Sequence, residues 1–555
     1  MSPAPGIPGA NLWTVARQTF MQCLRTKVAA VFAVLLIVSL ALLPSLMEGD
    51  GTMAGRIRTF LDYSTTVVSV LLSLVVVLLS VGLISGDVAS KQVLMLCTKP
   101  LSRWQYVIGR WLGVVLLAGA LQGGAYAAIY MTTQYLRGRN DLAVGPEDAR
   151  AVETEIFVSR VRTPAPQADV GAVVRQRIEQ KKQQGGWDSA VQAYMDNYAL
   201  SRSDSIEKLI EDMRRSARAE AQSVAPGGSL LWKFTGLQDA GQRAYGGPGI
   251  VMDIDSSSGV VVVRTPRAMV NKLVIFGPVW VDGAVGRVEG MWKEGFRAAF
   301  PLEAIKARFS NTEPGTEVKV AAQPTLQLSY KLTPAGPDGG RNRLTAWKFE
   351  NPSNGFVYDI PPKEVRVGQQ ATVILPAAAI DKSGRMTVRC FNYSSDSVTM
   401  LSGDMSVLYG AGGFEMNFIK SGLLVLTGLV FLAALGTCAG AVMSFAVGCL
   451  LCFVMLWIGT ALRFLTEAIT YGPAADEKGL VPAMYAVAGW MLEVMKVLLP
   501  DLATTLSTNF IVEGTRIRWD YFGETALLTV GLRAAILLGL GCLLFHRREL
   551  AQVQV

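Results

Sequence analysis

Few residues of this chain carry the usual equipment of catalysis. Among 555 residues there is one histidine, His546, close to the C-terminus, so Ser-His-Asp or Cys-His catalysis and any multi-histidine metal site lack their raw material. The seven cysteines are Cys23, Cys97, Cys390, Cys438, Cys449, Cys452 and Cys542, and only Cys390 lies outside segments assigned below to membrane or cytoplasm. No disulfide framework is therefore expected. Cys449 and Cys452 form a CxxC inside an apolar run without a second ligand pair, which is expected of packing residues. Asp253, Asp255 and Ser257 have the alternation of a calcium loop, but the glycine comes one position late at Gly259 and Arg264 stands where a bidentate glutamate is needed, so a turn is expected. What remains is charge in unusual company. Asp87, Lys91, Lys99, Arg103 and Arg110 share one short polar stretch between apolar runs, and Arg533 stands alone inside another. The chemistry open to such groups is ion pairing and contact with a partner, not bond making.

The elements that must hold these charges are apolar. The chain is 51% hydrophobic and 17% charged, with mean hydropathy +0.34, against about 25% charged in soluble proteins. A purely soluble protein is excluded. Residues 421–462 and 111–136 contain no Asp, Glu, Lys or Arg. A crossing needs about 20 apolar residues, so the first of these runs must fold back as two helices, with the turn expected at 436–440. Spans are expected at 28–46, 64–84, 111–130, 421–436, 442–462 and 525–545. Arg533, in the last of them, should face protein or a wet cavity rather than lipid.

Loop charges orient the spans. Arg17, Arg25 and Lys27 precede the first without an acidic residue, and the link between the second and third is basic, which places both on the cytoplasmic side. The expected fold is a polytopic α-helical membrane protein of six transmembrane helices, 3+3, with both termini cytoplasmic and a large extracytoplasmic α+β insert between spans three and four. A cytoplasmic N-terminal amphipathic helix occupies 1–27, and its length argues against a cleaved signal. Spans one to three fill 28–130, the insert 131–413, spans four to six 414–545 with an outer loop at 463–524, and a cytoplasmic tail 546–555. Residues 481–499 of that loop, bounded by Pro482 and Pro500 and carrying Glu493 and Lys496, are expected to form an interfacial or re-entrant helix.

Within the insert, helical spacing at Val191, Tyr194, Met195 and Tyr198 and again at Ile206, Leu209, Ile210 and Met213 predicts a hairpin over 168–225, the second helix opened by an Asp204/Glu207 capping box. From 229 to 410 the period shifts towards two between turn clusters, which predicts a β-sandwich. The insert's charge is nearly balanced, and no nucleic-acid partner is expected.

The link between spans two and three reads Ile84-Ser-Gly-Asp87-Val-Ala-Ser90-Lys91-Gln92-Val-Leu94-Met-Leu-Cys-Thr-Lys99-Pro100-Leu-Ser-Arg103, and continues through Gly109-Arg110 into the third span. It resembles the permease of a type-2 ABC export system, the six-span class of ABC transporter permease subunits. There an acidic residue opens a short helix after the second span, Lys-Pro breaks it, and Ser-Arg and Gly-Lys lead onwards. This chain differs in having Asp87 where the family more often has Glu, Lys91-Gln92 for Gly-Thr, and Arg110 for Lys. The likeness extends to the amphipathic helix at 11–26 and the closing residues 545–550, and leaves out the insert.

The resemblance implies a coupling helix at 85–101 that contacts a separate ABC ATPase through Asp87, Ser90, Lys91, Gln92, Leu94, Lys99, Pro100 and Arg103. It also implies a second permease chain, identical or related. No Gly-Lys dipeptide occurs anywhere, so the chain has no P-loop and ATP hydrolysis is expected in the partner. Neither a cofactor nor a catalytic or metal site is expected in this chain. An alternative class is a non-transporting membrane anchor that presents its β-sandwich for binding or signalling, and a membrane-embedded enzyme is a third. Under the leading reading the insert receives cargo, gates its exit or docks an envelope protein.

Overall fold

Apolar helices satisfy their own backbone groups, which is what a segment shielded from water must do. In the computed structural model six helices among the described residues are long and apolar enough to cross a membrane. The structure describes residues 8–46, 51–90, 102–139, 148, 152–166, 170–198, 201–238, 245–255, 257–265, 279–281, 284–292, 294–300, 305–306, 309, 312–322, 325–334, 342–353, 355–400, 403–470, 480–506 and 509–547.

The chain opens with α1 (Pro8–Leu24), α2 (Lys27–Leu46), α3 (Met53–Ala89) and α4 (Arg103–Gly138). The inserted region follows, with one strand ahead of three helices, α5 (Val170–Gln183), α6 (Trp187–Tyr198) and α7 (Arg202–Gln222), and the remaining strands after them. After them come α8 (Phe414–Val442), α9 (Phe445–Thr470), α10 (Leu480–Leu498) and α11 (Trp519–Arg547), the last with a π-helical stretch at Leu527–Ala534. Contacts divide the chain into one unit of residues 1–159 and 412–555 and another of residues 160–411.

In the helical unit, α3 and α8 form the centre, packing Leu61, Leu72, Val76, Val425, Leu429 and Leu432 into one core. The start of α3 is capped twice: Thr52 Oγ1 accepts from Gly55 N, and the Asp148 carboxylate accepts from Met53 N and Ala54 N, a favourable place for negative charge. Trp111 and Gln122 of α4 donate to the Val430 and Gly422 carbonyls of α8. The turn expected at 436–440 falls instead at Met443–Ser444. The glycines mark close approach: a Cβ on Gly436 would lie 1.9 Å from Ser80 Oγ, and one on Gly440 2.7 Å from the Val81 carbonyl oxygen. Small residues four apart let apolar helices meet backbone to backbone. Gly440→Ala should therefore destabilise by about 1–3 kcal/mol, as overpacking does. Its melting midpoint in detergent should drop, while Gly539→Ala, whose Cβ meets nothing within 4 Å, should leave the midpoint in place.

The second unit is strand-rich. Two four-stranded sheets share one apolar core. In the first, β1 (Val158–Pro164) and β14 (Gln370–Pro376) flank β17 (Ser406–Gly413) and β10 (Thr325–Lys331); in the second the order is β13 (Val357–Arg366), β12 (Asn342–Glu350), β15 (Met386–Asn392) and β3 (Ser229–Phe234). Tyr330 of one sheet meets Trp347 of the other at a ring separation of 4.5 Å, with Trp232 beyond it. A small third sheet joins β11 (Thr333–Pro334), β16 (Val398–Thr399) and β2 (Ser223–Val224).

The sequence reading had put all strands of 229–410 into one sandwich. Six of them instead close a separate barrel in the order β4 (Tyr245–Asp255), β5 (Val260–Arg264), β8 (Gly295–Ala299), β7 (Ala284–Trp292), β6 (Val279–Val281) and β9 (Glu317–Ala322). Its core is Val251, Val261, Val263, Val281, Phe296 and Val320. The helical part is three helices rather than a hairpin, gathered on Val174, Met213 and Ala217. The N-cap of α7 is Ser201, whose Oγ accepts from Asp204 N, so Asp204 is the third helical residue and not the cap. The expected strand at 273–276 lies outside the described residues.

One loop of this unit depends on pH in a defined sense. Asp381 accepts from Ser383 Oγ and N, Arg385 N and Nε, and Ser353 Oγ, all within 3.0 Å. The Ser383 hydroxyl first, then the Arg385 amide and guanidinium, hold its carboxyl well below the usual range. A carboxyl lowered on folding stabilises at pH values above its unfolded pKa of about 3.9 and loses that contribution as pH falls through its folded value. Asp381→Asn should thus speed hydrogen exchange at Ser383 and Arg385 at pH 7, and the difference from wild type should begin to narrow only below about pH 4 and close as pH falls through the lowered folded value.

Candidate functional site

The charges singled out in the sequence meet where four helix ends converge. Asp87 lies in the last turn of α3, only 6% exposed, and Ser90 closes that helix by donating its N–H and hydroxyl to the Gly86 carbonyl. Both Tyr106 Oη and Arg110 Nη2, from the first two turns of α4, donate to Asp87 Oδ2. The side chains of the ion pair are 11% and 8% exposed. Arg110 also reaches α1, where its Nη1 donates to Gln22 Oε1 at 2.5 Å and to Thr19 Oγ1 at 3.5 Å.

Two glycines make this reach possible. A Cβ on Gly109 would lie 2.6 Å from Val15 Cγ1, and one on Gly113 2.5 Å from Thr19 Cβ and 2.7 Å from the Ala16 carbonyl oxygen. The end of α11 completes the group: Phe545 stacks on Tyr106 at 5.7 Å, and Arg103 Nη1 donates to the His546 carbonyl at 2.7 Å. At the start of α4, Ser102 N donates to Gln105 Oε1 at 3.2 Å.

Residues 91–101 thus run between two helix ends that are capped, cross-bonded and packed on α1 and α11. The resemblance implies that Asp87 opens a new short helix. In the structure α3 continues unbroken from Met53 to Ala89, and Asp87 lies in its last turn with its carboxylate bonded to Tyr106 and Arg110. Of the eight expected contact residues, Asp87, Ser90 and Arg103 are brought together here, Ser90 on the exposed surface. Lys91, Gln92, Leu94, Lys99 and Pro100 lie outside the described residues. Sequence reasoning missed Thr19, Gln22 and Tyr106; the signal for them was Gly109 and Gly113, four apart and facing an amphipathic α1.

Arg533 sits elsewhere. Its Nε donates to the Val497 carbonyl at 3.0 Å and its Nη2 to the Lys496 carbonyl at 2.9 Å, at the C-terminal end of α10, where a cation opposes the negative pole of the helix. It lines a cavity of about 480 Å3 between α9, α10 and α11. A second interior cation, Lys420 of α8, escaped the sequence reading; it is 4% exposed, donates to the Ile517 carbonyl at 3.0 Å and lies 4.3 Å from the Trp519 ring centroid.

Other candidates resolve into structure. Cys449 and Cys452 pack with Val77, Val81, Leu435 and Ala439. Asp255 accepts from Ser257 N and Oγ and from Ser258 Oγ, so its carboxylate is taken up by the turn, and the Ser257 hydroxyl above all holds it below the usual range. Among the described residues no three His, Cys, Asp or Glu side chains group as metal ligands. Compared with known proteins, the chain matches no family model, no curated protein and no solved structure.

Proposed function

We propose that this chain is the membrane-spanning permease subunit of an ATP-driven exporter of the type-2 ABC class, with both termini in the cytoplasm of a cell bounded by its plasma, or inner, membrane. ATP is hydrolysed by a separate ATPase chain, a second permease chain completes the pathway, and the strand-rich unit lies on the extracytoplasmic side, where an envelope protein can dock.

The observation that carries the reading is the buried Asp87–Tyr106–Arg110 group at the base of residues 91–101. A partner's push on a segment between two free helix ends would dissipate as local bending. Here the ends of α3 and α4 are locked to each other and to α1, so a displacement of the segment is delivered to both helices at once. Asp87 then acts as a positioning residue for the coupling contact. Supporting the membrane reading, α2, α9 and α11 turn bare apolar side chains outward, among them Ile37, Leu450, Trp457 and Leu527, a surface that belongs in lipid.

The test is co-purification of the full chain with a candidate ABC ATPase, reading ATP hydrolysis with and without substitutions at Lys91 and Lys99. Hydrolysis stimulated by the intact chain and lost on substitution supports the permease. A chain that binds no ATPase favours the membrane anchor, a reading helped by the second unit's having apolar cores of its own.

A further inference from the structure

The cavity beside Arg533 has a composition that its place in the helical unit does not require. Its wall combines two cationic residues, Lys496 and Arg533, with Thr529, while Leu462 and Leu528 form the apolar side. Just outside, Val497, Leu498 and Leu532 are more than half exposed. A polar hollow of about 480 Å3 therefore opens beside side chains suited to lipid.

Capping α10 accounts for only part of Arg533. The guanidinium has five N–H donors, and Nε and Nη2 serve the Val497 and Lys496 carbonyls, while Nη1 bonds no described residue. The Lys496 ammonium bonds Glu493 alone, at 2.7 Å, and that carboxylate is 70% exposed and no part of the wall. The one acid on the wall, Asp501, is turned onto the amide and hydroxyl of Thr504. Among the described residues the wall thus holds two cations with N–H donors to spare and one carboxylate, Asp501, whose oxygens are turned onto Thr504. A cation at membrane depth without a counter-charge is costly, and an anion bonded to Arg533, with Lys496 beside it, lowers that cost through charge-assisted hydrogen bonds. Basic pockets between spanning helices take lipid head groups for this reason.

We infer that this cleft binds the phosphate-bearing head of a membrane phospholipid, with Arg533 Nη1 and Lys496 Nζ on the phosphate, the Thr529 hydroxyl on an ester oxygen, and the acyl chains leaving over the apolar rim. The inference rests on the membrane reading and not on ATP-driven transport.

The full chain in a mild detergent, melted with added dimyristoyl phosphatidylglycerol, dimyristoylglycerol or inorganic phosphate, tests it. Phosphatidylglycerol should raise the melting midpoint by several degrees and dimyristoylglycerol should not. Lys496→Gln should remove at least half of the phosphatidylglycerol shift while leaving the lipid-free midpoint unchanged, because Lys496 bonds only an exposed glutamate. Arg533→Gln should remove most of the shift. If loss of the α10 cap unfolds that variant, Lys496→Gln and Thr529→Val carry the test. Equal shifts from phosphatidylglycerol and dimyristoylglycerol, or a full shift in Lys496→Gln, would overturn the site. A full shift from inorganic phosphate alone would reassign it to a soluble anion and overturn the lipid. Any of these in a chain that still stimulates its ATPase would leave the proposed function standing.

Discussion

Asp87→Ala is expected to be among the most damaging single substitutions in this chain. The change leaves Arg110 charged and nearly buried without its carboxylate, and Tyr106 without an acceptor. Removing one partner of a buried pair costs about 3–5 kcal/mol, because the remaining charge keeps its desolvation penalty and loses its compensation. The melting midpoint in detergent should fall accordingly, and Arg110→Ala should lower it by less, since the stranded Asp87 carboxylate keeps the Tyr106 hydroxyl as a donor. Asp87→Leu combined with Arg110→Met should recover much of the loss, because an apolar pair of similar volume removes both penalties. If the double variant is as unstable as the sum of the singles, the pair is not the stabilising contact proposed here. Asp87→Asn separates stability from coupling. It keeps an acceptor for Tyr106 and should remain folded, yet under the proposed function it should lower partner-stimulated ATP hydrolysis about tenfold, the effect of weakening one interaction by roughly 1.4 kcal/mol. Wild-type hydrolysis in folded Asp87→Asn would remove Asp87 from the coupling path.

The apolar helices were legible because a crossing demands some twenty apolar residues in a row, a pattern that water-exposed elements do not produce. Their ends were less so. Gly436 and Gly440 look like a turn because glycine breaks helices in water, but among apolar helices the same residue marks the closest packing, here against Ser80 and Val81. The strands of the second unit were also recognisable one by one. Their allocation to a barrel or to paired sheets was not, because β4 pairs with β9 across some seventy residues, as Tyr245 with Ala322, and period-two segments from the two bodies look alike. The candidate site follows the same division. The concentration of charge at 87–110 was visible, whereas the pairing of Asp87 with Arg110, and of Arg110 with Gln22 some ninety residues away, depends on which faces of α1, α3 and α4 meet. Glycines 109 and 113 encode that meeting, and they are informative only once α1 is known to be the partner.

Gly113→Leu should accordingly have an effect as large as the loss of Asp87, by a different route. Even the Cβ would stand 2.7 Å from a backbone oxygen of α1, which no rotamer change can relieve, and a leucine adds three carbons beyond it. The helices must part by several ångströms or α1 must leave. Once it leaves, Arg110 loses Gln22 and Thr19, and the Asp87 group opens to water on that side. Two readouts should change together. Arg17 on α1 and Arg25 just beyond it, both exposed, should be cut faster by trypsin once the helix is released, and the melting midpoint should fall by more than for Gly440→Ala, because a leucine at 113 displaces an entire helix. Gly123→Leu, on the same helix with nothing within 4 Å of its Cβ, is the control and should change neither. The proposed function adds a third expectation: with α1 displaced, α3 and α4 lose their common brace, and partner-stimulated ATP hydrolysis should fall even where the protein remains folded. Unchanged protection of α1 in Gly113→Leu would mean that this contact yields without consequence, and that Arg110 holds the helix ends through Asp87 alone.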